Sequence, residues 1–346
     1  MKDGRRRVLR LLYLLGLVRV RLGAIIQDCT ADMDYGRVVT RWHQLFGRCD
    51  PVYIRVVAET SELEAGSMQA AVHLMDQLEA ARNPYRSRWW RRLLPNFGMM
   101  VILVNSATRG EKAVPRDNGS PFCYWWMPRR GWRERRTLIV STLDGPVLPI
   151  ANYYGIIPAG VVHEMDIPMV MKLLVAQRRM SQLDADLIIN SQFRSNVFQV
   201  LVAWLLARGL HVPSTPTTIG LPDIQELGRV GVIDDFGQIK LLAKPNDFGY
   251  RPGLKVKLVD GTVAECIPRL ADVRAADGIA LTLGSNGWRN PVTGELIQLI
   301  EAAMQRQPTA DVLGLRPGDL VVNWQDWPVN ALVREPVGEP ATAARV

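Results

Sequence analysis

The residues of this chain best suited to chemistry fall into two groups: Asp28, Tyr35 and Asp144 in the first half, and Asp234, Phe236 and Gln238 in the second. Asp28 closes the apolar run GAIIQ and opens a polar stretch that carries Asp34-Tyr35-Gly36, while Asp144 closes the run TLIVSTL in the same way. Polar groups at the C-terminal end of a parallel strand, just before a helix, occupy the position where open α/β sheets hold ligands. In the second group, the stretch Gly231 to Lys240 (GVIDDFGQIK) breaks an apolar run into two carboxylates, an aromatic ring, a glycine and an amide. It stands at a junction between two sequence patterns, and clefts at domain junctions are preferred sites for pockets. The same residues also suit a strand running into a tight turn, with Asp and Gly present for turn chemistry.

Other constellations carry less. His163-Glu164-Met165-Asp166 lacks the second histidine of HExxH and reads as a charged helix start, so no metal site is expected. Cys29, Cys49, Cys123 and Cys266 are too far apart for a CxxC pair and too sparse for a secreted disulfide framework, which makes them free thiols of a reducing, cytoplasmic compartment. Neither GxGxxG nor GxxxxGK[ST] occurs, so the common dinucleotide and P-loop readings lose their main support. Tyr85 to Arg92 (YRSRWWRR) and Tyr124 to Arg136 (YWWMPRRGWRERR) interleave Arg with Trp, a mixture that suits nucleic acid or an anionic membrane surface. Neither lies in a nucleic-acid-binding motif, so the first reads as a loop with its aromatics on the core and the second as an insertion with solvated arginines.

The elements that must position these residues follow from length and periodicity. At 346 residues the chain can build two cores of ordinary size, and 48% apolar with 22% charged residues is a globular composition. The net charge of +8 favours anionic surroundings without naming a partner. Residues 1–22 form a basic extension whose apolar run between Arg10 and Arg19 is too short to cross a bilayer. Over 23–211, GAIIQ, PVYIRVV, GMMVILVN and TLIVSTL read as strands, and VVTRWHQLF, ELEAGSMQAAVHLMDQLEAAR and the apolar runs from Ile167 and Phe198 as helices. That alternation predicts an α/β domain with a mostly parallel, doubly wound sheet. Residues 212–228 (from VPSTPTTIGLPD) read as a Pro-rich linker. Residues 229–330 carry short strands and one helix, Leu296 to Met304, and predict a small all-β, barrel-like domain. Residues 331–346 read as a disordered tail.

An α/β domain, a Pro-rich linker and a β-domain opened by Ile233-Asp234-Asp235-Phe236-Gly237-Gln238 resembles the S-adenosyl-L-methionine (SAM) hydroxide adenosyltransferase family, which includes the SAM-dependent fluorinase and chlorinase. The likeness runs from about Ala24 to Val322 and is most specific in the second domain. There the first stretch resembles I-D-x-F-G-N, Ala271-Asp272-Val273 resembles A-D-V, Gly284-Ser285-Asn286-Gly287-Trp288 resembles an S-x-G-Y turn, and Leu313-Gly314-Leu315-Arg316-Pro317-Gly318-Asp319 resembles L-G-L-x-x-G-D. In the first domain Gln27-Asp28-Cys29-Thr30 keeps the aspartate of T/S-D-F-G and loses Phe-Gly. Asp34-Tyr35-Gly36 echoes D-P-Y-V-G, Val104 to Gly110 stands for V-D-P-G-V-G-T, and Leu143-Asp144-Gly145 stands for P-D-N-G.

The resemblance implies a homotrimer with SAM, as substrate or ligand, held between the first domain of one subunit and the second domain of its neighbour. Asp28 would touch the sugar or stabilise the pocket, Tyr35 and Asp144 would belong to the same pocket, and Asp234, Phe236 and Gln238 would hold the methionine or ribose end. Family hydrolases activate water with an Asp-Arg-His set for attack on the ribose C5′, releasing adenosine and L-methionine. Here Leu63-Glu64-Ala65 replaces F-D-I, no Arg occurs between Val56 and Ala81, and F-H-G-R-D is represented with Phe193 for its His and Asn196 for its Asp. A phenyl ring can be neither base nor electrostatic partner, so standard hydrolysis is expected to be impaired or lost. Two readings follow: a SAM-cleaving enzyme with a degenerate triad, or an inactive SAM- or adenosine-binding scaffold whose Trp/Arg segments serve partners.

Overall fold

The structure is a computed structural model, and it describes residues 19–28, 32–47, 49–57, 64–81, 98–106, 121–128, 136–191, 194–223, 226–272 and 278–323. The chain folds as two compact units: residues up to Pro222 together with Asn286–Ile297, and Asp223–Ser285 together with Gln298 onward. The basic extension up to residue 18, Tyr85 to Arg92, the arginines at 129–135, Phe193 and the tail lie outside the described residues.

The first unit is built on a seven-stranded mixed sheet of order β2-β1-β3-β5-β4-β6-β7. Its strands are β1 (Arg19–Gln27), β2 (Pro51–Arg55), β3 (Gly98–Asn105), β4 (Phe122–Trp126), β5 (Arg136–Thr142), β6 (Val161–Met165) and β7 (Ser214–Thr218). β2, β1, β3 and β5 run parallel, as the strand and helix alternation predicts. β4 pairs antiparallel with both β5 and β6, and β6 antiparallel with β7, so the sheet is mixed. A parallel neighbour needs a crossover of a dozen residues or more, and the short connection from β4 to β5 allows only an antiparallel pair.

Three sequence expectations change here. Tyr124 and Trp125, read as the start of an insertion, are buried in β4, where Trp125 donates its indole N–H to the Ile156 carbonyl at 3.2 Å. His163 and Glu164 sit in strand β6, and only Asp166 caps a helix, accepting from Met169 N at 2.9 Å. The expected linker supplies β7, an edge strand, where Pro216 is tolerated because an edge residue need not donate to the ladder.

Helices α1 (Asp32–Phe46), α4 (Ile167–Ala176), α5 (Gln182–Asn190) and α6 (Phe198–Ala207) share one core with Ile25, Met99, Val101, Leu103, Leu138 and Val140. The alternate residues Ala24, Ile26, Met100, Ile102, Val104 and Ile139 are equally buried, which is why β3 reads as an unbroken apolar run. Helix α2 (Ala65–Ala80) packs on β1 and β3 and against α3 (Val147–Tyr153), and none of its residues joins the first core. Gly23 is required by packing: a Cβ there would lie 2.2 Å from Cζ2 of the fully buried Trp42.

The second unit is a six-stranded sheet of order β10-β11-β12-β13-β9-β8, from β8 (Val230–Ile233), β9 (Ile239–Leu241), β10 (Lys255–Lys257), β11 (Val263–Cys266), β12 (Ala280–Arg289) and β13 (Leu296–Ala303). β11 and β12 are parallel, whereas β10 with β11, β13 with β9 and β8 with β9 are antiparallel. The segment expected as a helix from Leu296 is strand β13. Its mostly apolar run, interrupted by Gln298 and Glu301 at a spacing that also suits a helix, does not separate helix from strand locally, and pairing with β9 decides it. The short helix of this unit is α7 (Thr309–Leu313), closed by Gly314 at φ +63°. The motif read as a turn at Gly284 to Trp288 lies within β12.

Cys49, Cys123 and Cys266 are free thiols among the described residues. Burial pushes the Cys123 thiol far up and that of Cys266 to about 11, so neither is a nucleophile at neutral pH. Substituting Gly23→Ala is expected to destabilise the first unit by roughly 1–3 kcal/mol through overpacking against Trp42. Denaturant unfolding followed by tryptophan fluorescence measures this, and an unchanged midpoint would show that Trp42 can move at no cost.

Candidate functional site

In the first unit the chain leaves β1 for β2 on one side and returns to β3 on the other, so the strand order reverses between β1 and β3. Open α/β sheets take ligands at such a switch point, outside the carboxyl ends of the strands. There Asp28 N donates to the Asn105 carbonyl at 3.1 Å, joining the two strand ends. Gln27, Asp28, Asn105, Ser106, Ser141 and Thr142 form a row of buried polar residues across the ends of β1, β3 and β5. The row is braced from below: Thr142 Oγ1 donates to the Ser106 carbonyl at 2.7 Å, and the Ser67 hydroxyl of α2 meets that of Ser106 at 3.1 Å. Ser141 Oγ is buried with no hydrogen-bond partner. A carboxylate, an amide and hydroxyls set side by side can both donate and accept, the combination that a sugar or another polyhydroxyl group requires.

Tyr35 joins this edge indirectly. It is 41% exposed on α1 and packs edge-on against Tyr53 with ring centroids 4.4 Å apart, and Tyr53 takes a hydrogen bond from the Gln27 amide. Asp144 follows β5, half-buried, before Gly145 turns the chain at φ +95° into α3. The three first-half residues therefore all stand at the C-terminal ends of β1 and β5 or on the helix that follows β1.

The rim of this edge comes from a 3-10 turn, Arg194–Asn196, that leads into α6. Gln199 Nε2 donates to the carbonyls of Val104 and Val140, at 2.8 and 2.9 Å, and so seats α6 over the ends of β3 and β5. Asn196 Nδ2 donates to Asp34 Oδ1 at 2.8 Å, and Arg41 Nη1 donates to the Asn196 carbonyl at 2.9 Å, which ties the turn to α1. Asn196 Oδ1 is buried without a partner. Burial pulls the Arg194 and Arg41 guanidinium groups below their usual value, with repulsion from Arg37 adding to the effect at Arg41. Sequence reading passed over Arg194, Gln199 and Ser141. The available signal was a mostly polar run, Ser191 to Asn196, set just before a helix whose one polar residue is Gln199.

In the second unit, Asp234, Phe236 and Gln238 share one turn between β8 and β9. Asp234 Oδ1 accepts from Phe236 N at 3.0 Å and from Gln238 N at 2.9 Å, and Gly237 turns at φ +75° with Pro308 too close to admit a Cβ. Turn chemistry thus accounts for Asp234 and Gly237. It does not account for Phe236, whose side chain is 79% exposed at the tip. Beneath the turn the ammonium of Lys240 forms a buried pair with Glu301 and stands 3.8 Å from Asp234 Oδ2. Gly284 leaves the space that Glu301 fills, because a Cβ there would come within 2.7 Å of Glu301 Oε1.

The inviting His163-Glu164 pair is occupied structurally: the imidazole stacks on Tyr124 at 5.1 Å, and Glu164 accepts from Thr217. Among the described residues no group of three His, Cys, Asp or Glu side chains could hold a metal ion.

No protein-family model and no curated protein matches the chain. Among solved structures it is similar to an uncharacterized conserved protein from Thermotoga maritima, with 14% identity, TM-score 0.49, and coverage of 86% of this chain and 98% of that one. It is likewise similar to a conserved hypothetical protein from Thermus thermophilus, with 17% identity, TM-score 0.48, and coverage of 86% and 97%.

Two substitutions probe these arrangements. Asn196→Ala removes the N–H that Asp34 accepts and is expected to cost roughly 1–3 kcal/mol, read from thermal unfolding, and an unchanged midpoint would show that this bond does not hold the turn to α1. Lys240→Met leaves Glu301 buried and unpaired and is expected to cost roughly 3–5 kcal/mol, whereas Lys240→Met with Glu301→Leu recovers most of that loss. Equal unfolding midpoints for the single and double variants would contradict this.

Proposed function

We propose that this protein binds S-adenosyl-L-methionine or adenosine at the polar switch-point edge of its first unit and has lost the usual water-activated hydrolysis. The observation that carries the reading is the row Gln27, Asp28, Asn105, Ser106, Ser141 and Thr142, buried at the switch-point edge where α/β sheets take ligands, with Ser141 Oγ left unsatisfied. In this reading the Asp28 carboxylate and the free Ser141 hydroxyl take sugar hydroxyls, Tyr35 and Asp144 flank the same edge, and Phe236 and Gln238 contact the methionine or ribose end. The proposal takes the first unit as a doubly wound sheet and the second as barrel-like, with the homotrimer that the family resemblance implies and the cytoplasmic setting that the sparse cysteines suggest. Among the described residues no helix is long and apolar enough to cross a membrane.

The loss of hydrolysis rests on Asn196. A catalytic carboxylate at that position could orient a base or water; an amide can do neither by proton transfer, and its N–H is already committed to Asp34. Calorimetry with SAM and with adenosine, followed by chromatography after long incubation, tests both parts. Saturable binding without adenosine and methionine above a protein-free control is expected, and Asp28→Asn is expected to weaken binding roughly tenfold or more. Release of adenosine and methionine would show that cleavage survives the altered triad, and absence of binding by either compound would reject the reading.

A further inference from the structure

The turn that rims the switch point holds a cation for which the described residues of this unit provide no counterion. Arg194 is only 5% exposed, yet among the described residues no carboxylate pairs with its guanidinium and no side chain or carbonyl accepts from it. The acid on the facing helix, Asp34, is engaged by the Asn196 amide, and Arg37 and Arg41 on that helix are themselves cationic. Glu301, the buried acid that neutralises Lys240, belongs to the second unit. A buried, unpaired charge costs several kcal/mol, and proteins normally pair it, hydrogen-bond it or remove it. Two residues along the same turn, the Asn196 Oδ1 acceptor is also buried and unsatisfied. The Arg194–Asn196 turn therefore carries a guanidinium with no partner among the described residues and a buried, unsatisfied acceptor, at a rim fixed by Gln199 to the ends of β3 and β5 and by Asn196 to the helix after β1.

We propose that Arg194 receives the anionic group, a carboxylate or a phosphate, of the ligand bound at the switch-point edge. The guanidinium suits this task because its planar fork binds either oxyanion bidentately and stays charged at any physiological pH. Asn196 Oδ1 accepts an N–H or O–H from the same ligand. The inference deepens the proposed function and rests on its location of the site: it says that the ligand is recognised by a negative charge as well as by its sugar. SAM offers a carboxylate, adenosine offers no anion, and AMP offers a phosphate on the same nucleoside, so the three compounds separate charge from nucleoside recognition.

The test compares the parent protein with Arg194→Met and Arg194→Lys by thermal unfolding and calorimetry, using inorganic phosphate, AMP, SAM and adenosine as probes. Arg194→Met is expected to unfold at a higher temperature than the parent without ligand, because it removes an unpaired buried charge while keeping apolar volume. The same variant is expected to lose the stabilisation given by phosphate, to bind AMP and SAM roughly ten- to a hundred-fold more weakly, and to bind adenosine unchanged. Arg194→Lys keeps the charge without the fork and falls between the two, so the comparison holds even if the Met variant folds poorly. A lower unfolding temperature for Arg194→Met together with unchanged anion binding would make Arg194 a structural residue and overturn the proposal. It is overturned equally if phosphate, AMP and SAM all leave the parent's unfolding temperature unmoved. Adenosine binding with no preference for AMP or SAM would overturn this inference while leaving the nucleoside-binding reading intact. Phosphate stabilisation that depends on Arg194 without adenosine binding would uphold the anion site and reject the nucleoside.

Discussion

The Gln199 side-chain amide hydrogen-bonds two carbonyls near the C-terminal ends of neighbouring buried strands, and much of the first unit depends on that contact. Gln199 is itself buried, and its amide left unsatisfied would cost about 1–3 kcal/mol. Bonding both Val104 and Val140 fixes α6 above β3 and β5. The register of α6 then sets the preceding turn, the turn sets Asn196 against Asp34, and Asp34 anchors the start of α1. A site made of strand ends thus acquires a rim whose position is tied to the sheet by a few polar contacts within an apolar core.

The second unit meets the problem of buried polarity with charge. Lys240 and Glu301 neutralise each other in the sheet, and Asp234, near the same ammonium, folds the following turn through its other oxygen. Such a pair contributes little net stability compared with apolar residues of the same volume, but breaking it leaves a charge without a partner. Its consequence is geometrical, since the tip carrying Phe236 is held from two sides, by Asp234 and by Gly237 against Pro308. A large apolar ring that is nonetheless mostly exposed suits contact better than core packing.

Binding and turnover make different demands on such a scaffold. Binding needs complementary donors, acceptors and charge, which the polar edge, Arg194 and Asn196 Oδ1 offer. Proton transfer needs a titratable group within reach of the reacting atom, and the Asn196 amide at this rim is not one. It braces the turn against α1 and offers no acid–base chemistry.

The strands β1, β3 and β5, the helices α1, α2 and α6, and the strand-end placement of Asp28 and Asp144 were legible in the sequence, because a strand buried on both faces has to be an apolar run and has to end where polarity begins. The turn at Asp234 was legible for the same reason: Asp and Gly at that spacing are the residues such a turn requires. β13, β7 and the placement of His163 were not, since a mostly apolar stretch with polar residues three apart, a Pro- and Thr-rich stretch and a charged strand are ambiguous until a neighbouring strand pairs with them. Arg194 was invisible as a candidate because its meaning is an absence of partners in space. Sequence by itself determined where polarity interrupts the core, a local property of residue type and spacing. Only the tertiary structure decided which of those interruptions satisfy one another and which stay unsatisfied among the described residues, because hydrogen bonds between residues far apart in the chain exist only once the core has brought them together.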